Sequence, residues 1–225
     1  MLRRYSFCLD TVELKWVMAV TGVGLVAFVI VHMLGNLQIF LGRDAINDYA
    51  QLLKSNAILL WGFRLGLLAI TVAHVASAVA LISINRAAAG KERYTMKRDL
   101  GASLASRSIV LSGLVVLAFV IYHLLHFTVM AFHPEYHALD DRGRHDVYGM
   151  MVAGFSNPLI SGFYIISVGL LALHLSHGVS SVFRTMGVAS RRVFLLASVL
   201  GHGLALVIFL GFAAVPASVL LGWVK

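Results

Sequence analysis

Ten histidines punctuate this chain. Six of them, His32, His74, His123, His126, His174 and His177, stand inside long stretches that contain no Asp, Glu, Lys or Arg. In so apolar a setting an imidazole packs through a hydrogen bond, relays a proton or ligates a metal. For any one of them taken alone, an interhelical hydrogen bond is as good a reading as a ligand. The set says more. Counted from the flanking charges, His32 lies 11 residues before Arg43 and His123 lies 12 before Glu135, while His74 lies 12 before Arg86 and His174 lies 10 before Arg184. The spacing therefore predicts two pairs at two depths, separated by roughly 9 Å at a helical rise of about 1.5 Å per residue.

Two imidazoles at one depth, contributed by different helices, suit a planar metal macrocycle with open axial positions, and haem iron accepts His in that role. Bis-His ligation occupies both axial positions and points to electron transfer rather than oxygen chemistry. Zinc would need four ligands at one place, whereas these fall into twos with no Cys or carboxylate beside them. The lone Cys8 excludes an internal disulfide, a C-x-x-C-H haem attachment and an iron–sulfur site built within the chain.

The elements that must position these residues follow from composition. The 225 residues are 60% hydrophobic and 12% charged, with a mean hydropathy of +0.88. Soluble domains carry about 25% charged residues. Five charge-free runs, between Lys15 and Arg43, Arg64 and Arg86, Arg107 and Glu135, Asp146 and Arg184, and Arg192 and Lys225, are long enough to cross a bilayer. With every backbone group needing a partner inside hydrocarbon, they are helices. The expected fold is an all-α, five-helix membrane bundle forming a single domain, with spans at about 16–41, 58–85, 108–131, 158–183 and 194–222. The first span lacks a small-residue cleavage signature and reads as uncleaved, so the mature chain is expected to begin near Met1. Pro158 opens the fourth span, Pro216 is placed to kink the fifth, and segment 132–157 is the expected site of a short surface helix.

The formal charge of +8 does not indicate a nucleic-acid partner. The basic residues alternate between the two ends of the spans, and twelve of the eighteen Lys and Arg fall in segments 1–15, 86–107 and 184–192. The positive-inside rule then puts the N-terminus in the cytoplasm and the C-terminus outside.

The chain also repeats itself. Ala27 to Leu34 reads AFVIVHML and Ala118 to Leu125 reads AFVIYHLL, centred on His32 and His123. Gly-Leu-Leu-Ala recurs at 66–69 and 169–172, a match that carried forward without gaps pairs His74 with His177, whereas depth pairs it with His174. On the residues alone both remain open, as do ligand, propionate-donor and packing roles for His177 and for His126. Small residues follow the candidates, including Gly35, Ser77, Ala78, Ser176, Gly178, Ser180 and Ser181. They suit a flat ring close to the backbone and close helix packing equally.

These stretches, FVIVHMLGNLQIFLG ending at Gly42, FVIYHLLHF around His123, and GFYIISVGLLALHLSHGVSSVF from Gly162 to Phe183, resemble the cytochrome b subunit of succinate dehydrogenases and fumarate reductases. The likeness is to the single-subunit, five-span form with two b haems, and it covers essentially the whole chain. It implies one haem ligand on each of the first four helices, at His32 and His123 for the outer haem and His74 and His174 for the inner. The family's small residue four positions after the ligand, here Gly178, favours His174 over His177. The resemblance further implies a flavoprotein partner with FAD, an iron–sulfur subunit on the cytoplasmic face, and a quinone, menaquinone in most two-haem members. The membrane implied is the bacterial cytoplasmic membrane. The basic inner rim would serve docking or anionic lipid.

Expected quinone-site residues near the outer level are Gln38, Trp61, Arg64 and His126; Arg107, Arg184 and His202 are candidates for haem propionates at the inner level. Trp61 as an interfacial anchor and Arg64 as a snorkelling side chain are the plain alternatives. Two-haem relatives with a Glu two residues before the fourth-helix ligand have Ala172 as the counterpart here, so this chain has no carboxylate for a proton path like theirs. The rival readings are a dihaem anchor of a nitrate reductase, hydrogenase or formate dehydrogenase, which tends to gather its ligands on fewer helices, and a haem-free polytopic transporter.

Overall fold

The computed structural model describes residues 10–88, 109–187 and 190–225. Among them the long elements are all helices: α1 (Thr11–Leu37), α2 (Arg43–Lys54), α3 (Ala57–Ala88), α4 (Ile109–His123), α5 (Val147–Phe155), α6 (Pro158–Thr185) and α7 (Arg191–Leu220). Five, built on α1, α3, α4, α6 and α7, are long and apolar enough to cross a membrane. The protein is thus an all-α, multi-pass membrane bundle. Its outward surface agrees with this, since Val20, Ile58, Phe63, Leu159 and Val199 all lie exposed. Such side chains would be a liability in water but suit lipid.

The spans differ from expectation mainly at their ends. The first begins at Thr11 rather than near 16, because Asp10 accepts hydrogen bonds from Val12 N at 2.8 Å and Glu13 N at 2.9 Å while Glu13 reaches back to Asp10 N. This capping box offsets the charges it draws into the first turn. At its far end α1 tightens into a 3-10 turn, Gln38–Leu41, and Gly42 at φ 102° turns the chain. Asn157 caps α6, with Pro158 in the first turn. Pro216 lies within α7, which runs on to Leu220.

One segment departs outright. Residues 43–54, which lie between the first two expected spans, form the amphipathic helix α2, which turns Ile46 and Asn47 inward. Together with a short 3-10 turn (Pro134–His137) and α5, which is the surface helix expected within 132–157, it builds a cap over one end of the bundle. Charge pairs hold the cap across roughly one hundred residues of sequence. Arg144 bonds Asp140, Asp44 and Asp48, Arg142 bonds Asp44, and Arg43 bonds Asp146 at 2.9 Å. The fully buried Asn47 donates to Asp140 and Asp146 and accepts from Tyr148 N. These bonds, that from Arg144 first, hold the Asp140 carboxyl well below the usual carboxylate range, and the three carboxylates push the Arg144 guanidinium up.

Within the bundle, α6 and α7 pack along each other, α1 runs along α3 and also touches α6 and α7, and α4 runs along α6. Gly201 permits the close α6–α7 approach, since a Cβ there would lie 3.2 Å from Val179 Cβ and 3.4 Å from the Ser176 carbonyl oxygen. Among the described residues α3 and α4 do not pack along each other. The bundle is therefore two helix pairs, α1/α3 and α4/α6, joined through α7 and the α1–α6 contact.

Candidate functional site

At the cap end, His32 of α1 and His123 of α4 face one another, with ring centroids 5.8 Å apart and ring planes at 78°. The local repeat explains the likeness of the two surroundings. Each histidine has a Phe four residues earlier against its ring, Phe28 on His32 at 5.3 Å and Phe119 on His123 at 6.0 Å. Phe212 of α7 adds a further wall at 5.8 Å from His32.

Directly after His123 the helix widens into a π turn, Leu124–Thr128, where Val129 N bonds the Leu124 carbonyl at 2.8 Å. Such turns are frequent at functional sites. This one carries His126, which is 1% exposed. Its Nδ1 lies 2.9 Å from the Tyr164 hydroxyl, and the same hydroxyl lies 3.4 Å from His123 Nδ1. The His126 Nε2 is buried without a partner among the described residues.

Toward the other end, His74 of α3 rests on α1 and His174 of α6 rests on α4. The Thr21 hydroxyl meets His74 Nδ1 at 3.1 Å, and the Ser112 hydroxyl meets His174 Nδ1 at 3.4 Å. Each ring also lies over a glycine. A Cβ on Gly22 would come within 3.4 Å of His74 Cε1, and one on Gly113 within 3.4 Å of His174 Cε1. His74 and His174 thus occupy equivalent positions in the two helix pairs. The gapless Gly-Leu-Leu-Ala match, which equates His74 with His177, does not describe this arrangement. His177 instead sets its Nε2 3.1 Å from Ser181 Oγ on its own helix.

On α1 the contact residue Gly22 and His32 are ten residues apart, so the two levels lie about 15 Å apart along the helix.

The four rings are half-buried, and no Nε2 among them makes a hydrogen bond with the described residues. Each pair joins an α1/α3 residue to an α4/α6 residue across helix pairs that are not closely packed on each other through α3 and α4. Imidazoles with Nε2 atoms unbonded among the described residues, set beside Gly and Phe, have the donor chemistry that could hold b-type haems. No group of three or more His, Cys, Asp or Glu among the described residues is arranged to hold a metal ion by itself.

The remaining candidates are not gathered into one site. Arg64 stacks on Trp61 at 5.2 Å on an exposed face of α3, and neither bonds Gln38 or His126 among the described residues. Gln38 is half-buried at the start of the 3-10 turn. Arg184 lies 4.3 Å over the Phe194 ring, tying the end of α6 to the start of α7. His202 is exposed, with Nδ1 2.6 Å from the Ser198 carbonyl on its own helix. Arg107 lies outside the described residues.

Three residues absent from the sequence reading prove to hydrogen-bond the imidazoles: Thr21, Ser112 and Tyr164. The first two had a signal. Thr21-Gly22 precedes His32 as Ser112-Gly113 precedes His123, eleven and ten residues upstream in both cases, so the repeat around the histidines extends back to these dipeptides. Comparison with family models, curated proteins and solved structures returned no match to this chain.

Proposed function

We propose that this protein is a dihaem cytochrome b, the membrane anchor of a succinate:quinone oxidoreductase, in a bacterial cytoplasmic membrane with its cap on the outer side. The observation that carries the reading is the arrangement of four histidines from four spanning helices as two matched pairs, His32 with His123 and His74 with His174. Each haem would supply a one-electron couple.

The chain's own residues do the rest. His32 and His123, and His74 and His174, would hold the haems through their imidazole nitrogens; Phe28, Phe119 and Phe212 give the cap-end level apolar walls. Gly22 and Gly113 let two rings sit against backbone. His126 and Tyr164 provide titratable groups on the buried side of the cap-end pair, near where a quinone would exchange protons. The flavoprotein and iron–sulfur subunits belong to the same proposal and would bind the end opposite the cap, where the basic segments cluster.

The test is expression of the full chain with haem supplied, followed by a pyridine haemochrome count and identification of co-purifying subunits. Two bis-His haems per chain with a succinate-oxidising flavoprotein are expected. A haem-free chain overturns the cytochrome reading, and two haems with a molybdenum or nickel enzyme as partner overturn the succinate assignment.

A further inference from the structure

Thr21 and Ser112 occupy equivalent positions, and the direction of their own protons gives them a chemical meaning. A Thr or Ser hydroxyl has one proton to donate and lone pairs to accept with. The Thr21 hydroxyl lies 2.6 Å from the Val17 carbonyl and 3.2 Å from that of Met18; the Ser112 hydroxyl lies 3.1 Å from the Ile109 carbonyl. A carbonyl only accepts, so the hydroxyl proton is directed into the hydroxyl's own helix. What each oxygen then offers the imidazole is a lone pair. An imidazole nitrogen that faces an acceptor lone pair carries the proton. His74 and His174 are therefore held as Nδ1–H tautomers, with the lone pair on Nε2.

Resting on the dihaem reading, we infer that Thr21 and Ser112 are positioning residues that fix the tautomer and ring orientation of the His74/His174 pair. Each of α1 and α4 then serves both levels, giving one ligand to the cap-end pair and, eleven residues upstream, the acceptor that seats the other pair. A neutral imidazole that donates from one nitrogen is a more basic ligand at the other, which favours the ferric state and tightens binding. At the cap-end level the corresponding acceptor comes from a different source, the Tyr164 hydroxyl, so the two levels are tuned independently.

The test uses the full chain with Thr21→Val, Thr21→Ser, Ser112→Ala and Ser112→Thr. Redox titration should find the midpoint potential of one haem raised in Thr21→Val and Ser112→Ala, with the other unmoved as the control for folding. Transfer of that haem to excess apomyoglobin should quicken by about 10- to 100-fold, the usual cost of losing such a partner. The Thr21→Ser and Ser112→Thr variants should restore both. Imidazole ¹⁵N shifts in the ferrous, His-labelled chain should report Nδ1–H at His74 and His174. Unchanged potential and transfer rate in a wild-type-like dihaem protein would overturn the positioning role and leave the cytochrome reading standing. If the wild type binds no haem, the cytochrome reading fails; the ¹⁵N shifts then decide the tautomers alone, and Nε2–H at either residue overturns that assignment.

Discussion

The Tyr164 hydroxyl of α6 lies 2.9 Å from Nδ1 of the buried His126. The same oxygen is 3.4 Å from His123 Nδ1, so a single hydroxyl serves two imidazoles. With His123 donating to the phenol, the phenol donates to His126, and the His126 proton sits on Nε2, the atom left without a partner. Tyr164→Phe removes the link at both ends. It should raise the potential of the cap-end haem and leave the other unchanged, as redox titration would reveal. The loss of a partner for buried His126 Nδ1 should also cost about 1–3 kcal/mol of stability, measurable by denaturation in detergent. Equal shifts in both haems would contradict the local role.

His174 and His177 share one face of α6 yet have different partners. His174 meets Ser112 on α4, whereas His177 bonds Ser181 within its own helix. His174→Ala is therefore expected to lower the haemochrome count from two per chain to one. His177→Ala should keep both haems and alter stability only slightly, by about 1 kcal/mol for a hydrogen bond within one helix. The reverse result would make the Gly-Leu-Leu-Ala register, rather than the helix contacts, the true guide to the ligand.

The cap depends on ionised carboxylates, and this fixes how it responds to acid. Bonded by Arg144 and Asn47, Asp140 has its folded-state pKa lowered, and Asp44 is lowered through its bond to Arg144. Their contribution to stability is thus complete above the unfolded carboxylate value of about 3.9 and is lost as pH falls toward the folded values. Proteolysis of the cap should stay slow at pH 5 and above and accelerate below about pH 4. In Asp140→Asn the acid dependence should weaken. Cleavage that accelerates already between pH 6 and 7 would point to a histidine instead.

The five spans are legible in the sequence because a bilayer demands long charge-free runs, and the histidines are legible because they interrupt those runs. The helix α2 is not, for its charges look like loop solvation. They are instead neutralised by Arg142, Arg144 and Asp146 about a hundred residues away, a pairing no local pattern announces. Thr21 and Ser112 are written into the repeat, but a hydroxyl in an apolar helix ordinarily bonds its own backbone, and only the packed helices show the second partner. Tyr164 has no sequence signal at all, since its meeting with His123 and His126 depends on the register of α4 against α6.

At Gly22 and Gly113 side-chain size is limited by ring approach rather than by backbone conformation, since both lie in ordinary helix. A Cβ at either would stand 3.4 Å from an imidazole carbon, within normal contact, so Gly22→Ala and Gly113→Ala should be tolerated with little loss of haem. Relative to glycine, alanine also favours the helix by about 1 kcal/mol in water. A branched side chain has no such room. Gly22→Val should push His74 from its seat and Gly113→Val should push His174, each selectively depleting the haem farther from the cap. Optical spectra of the two series, with the alanine variants as controls, separate a steric requirement at the ring from general helix packing. Loss of both haems in Gly22→Ala would mean that α1 and α3 cannot separate at all, and that the glycine serves packing of the whole pair.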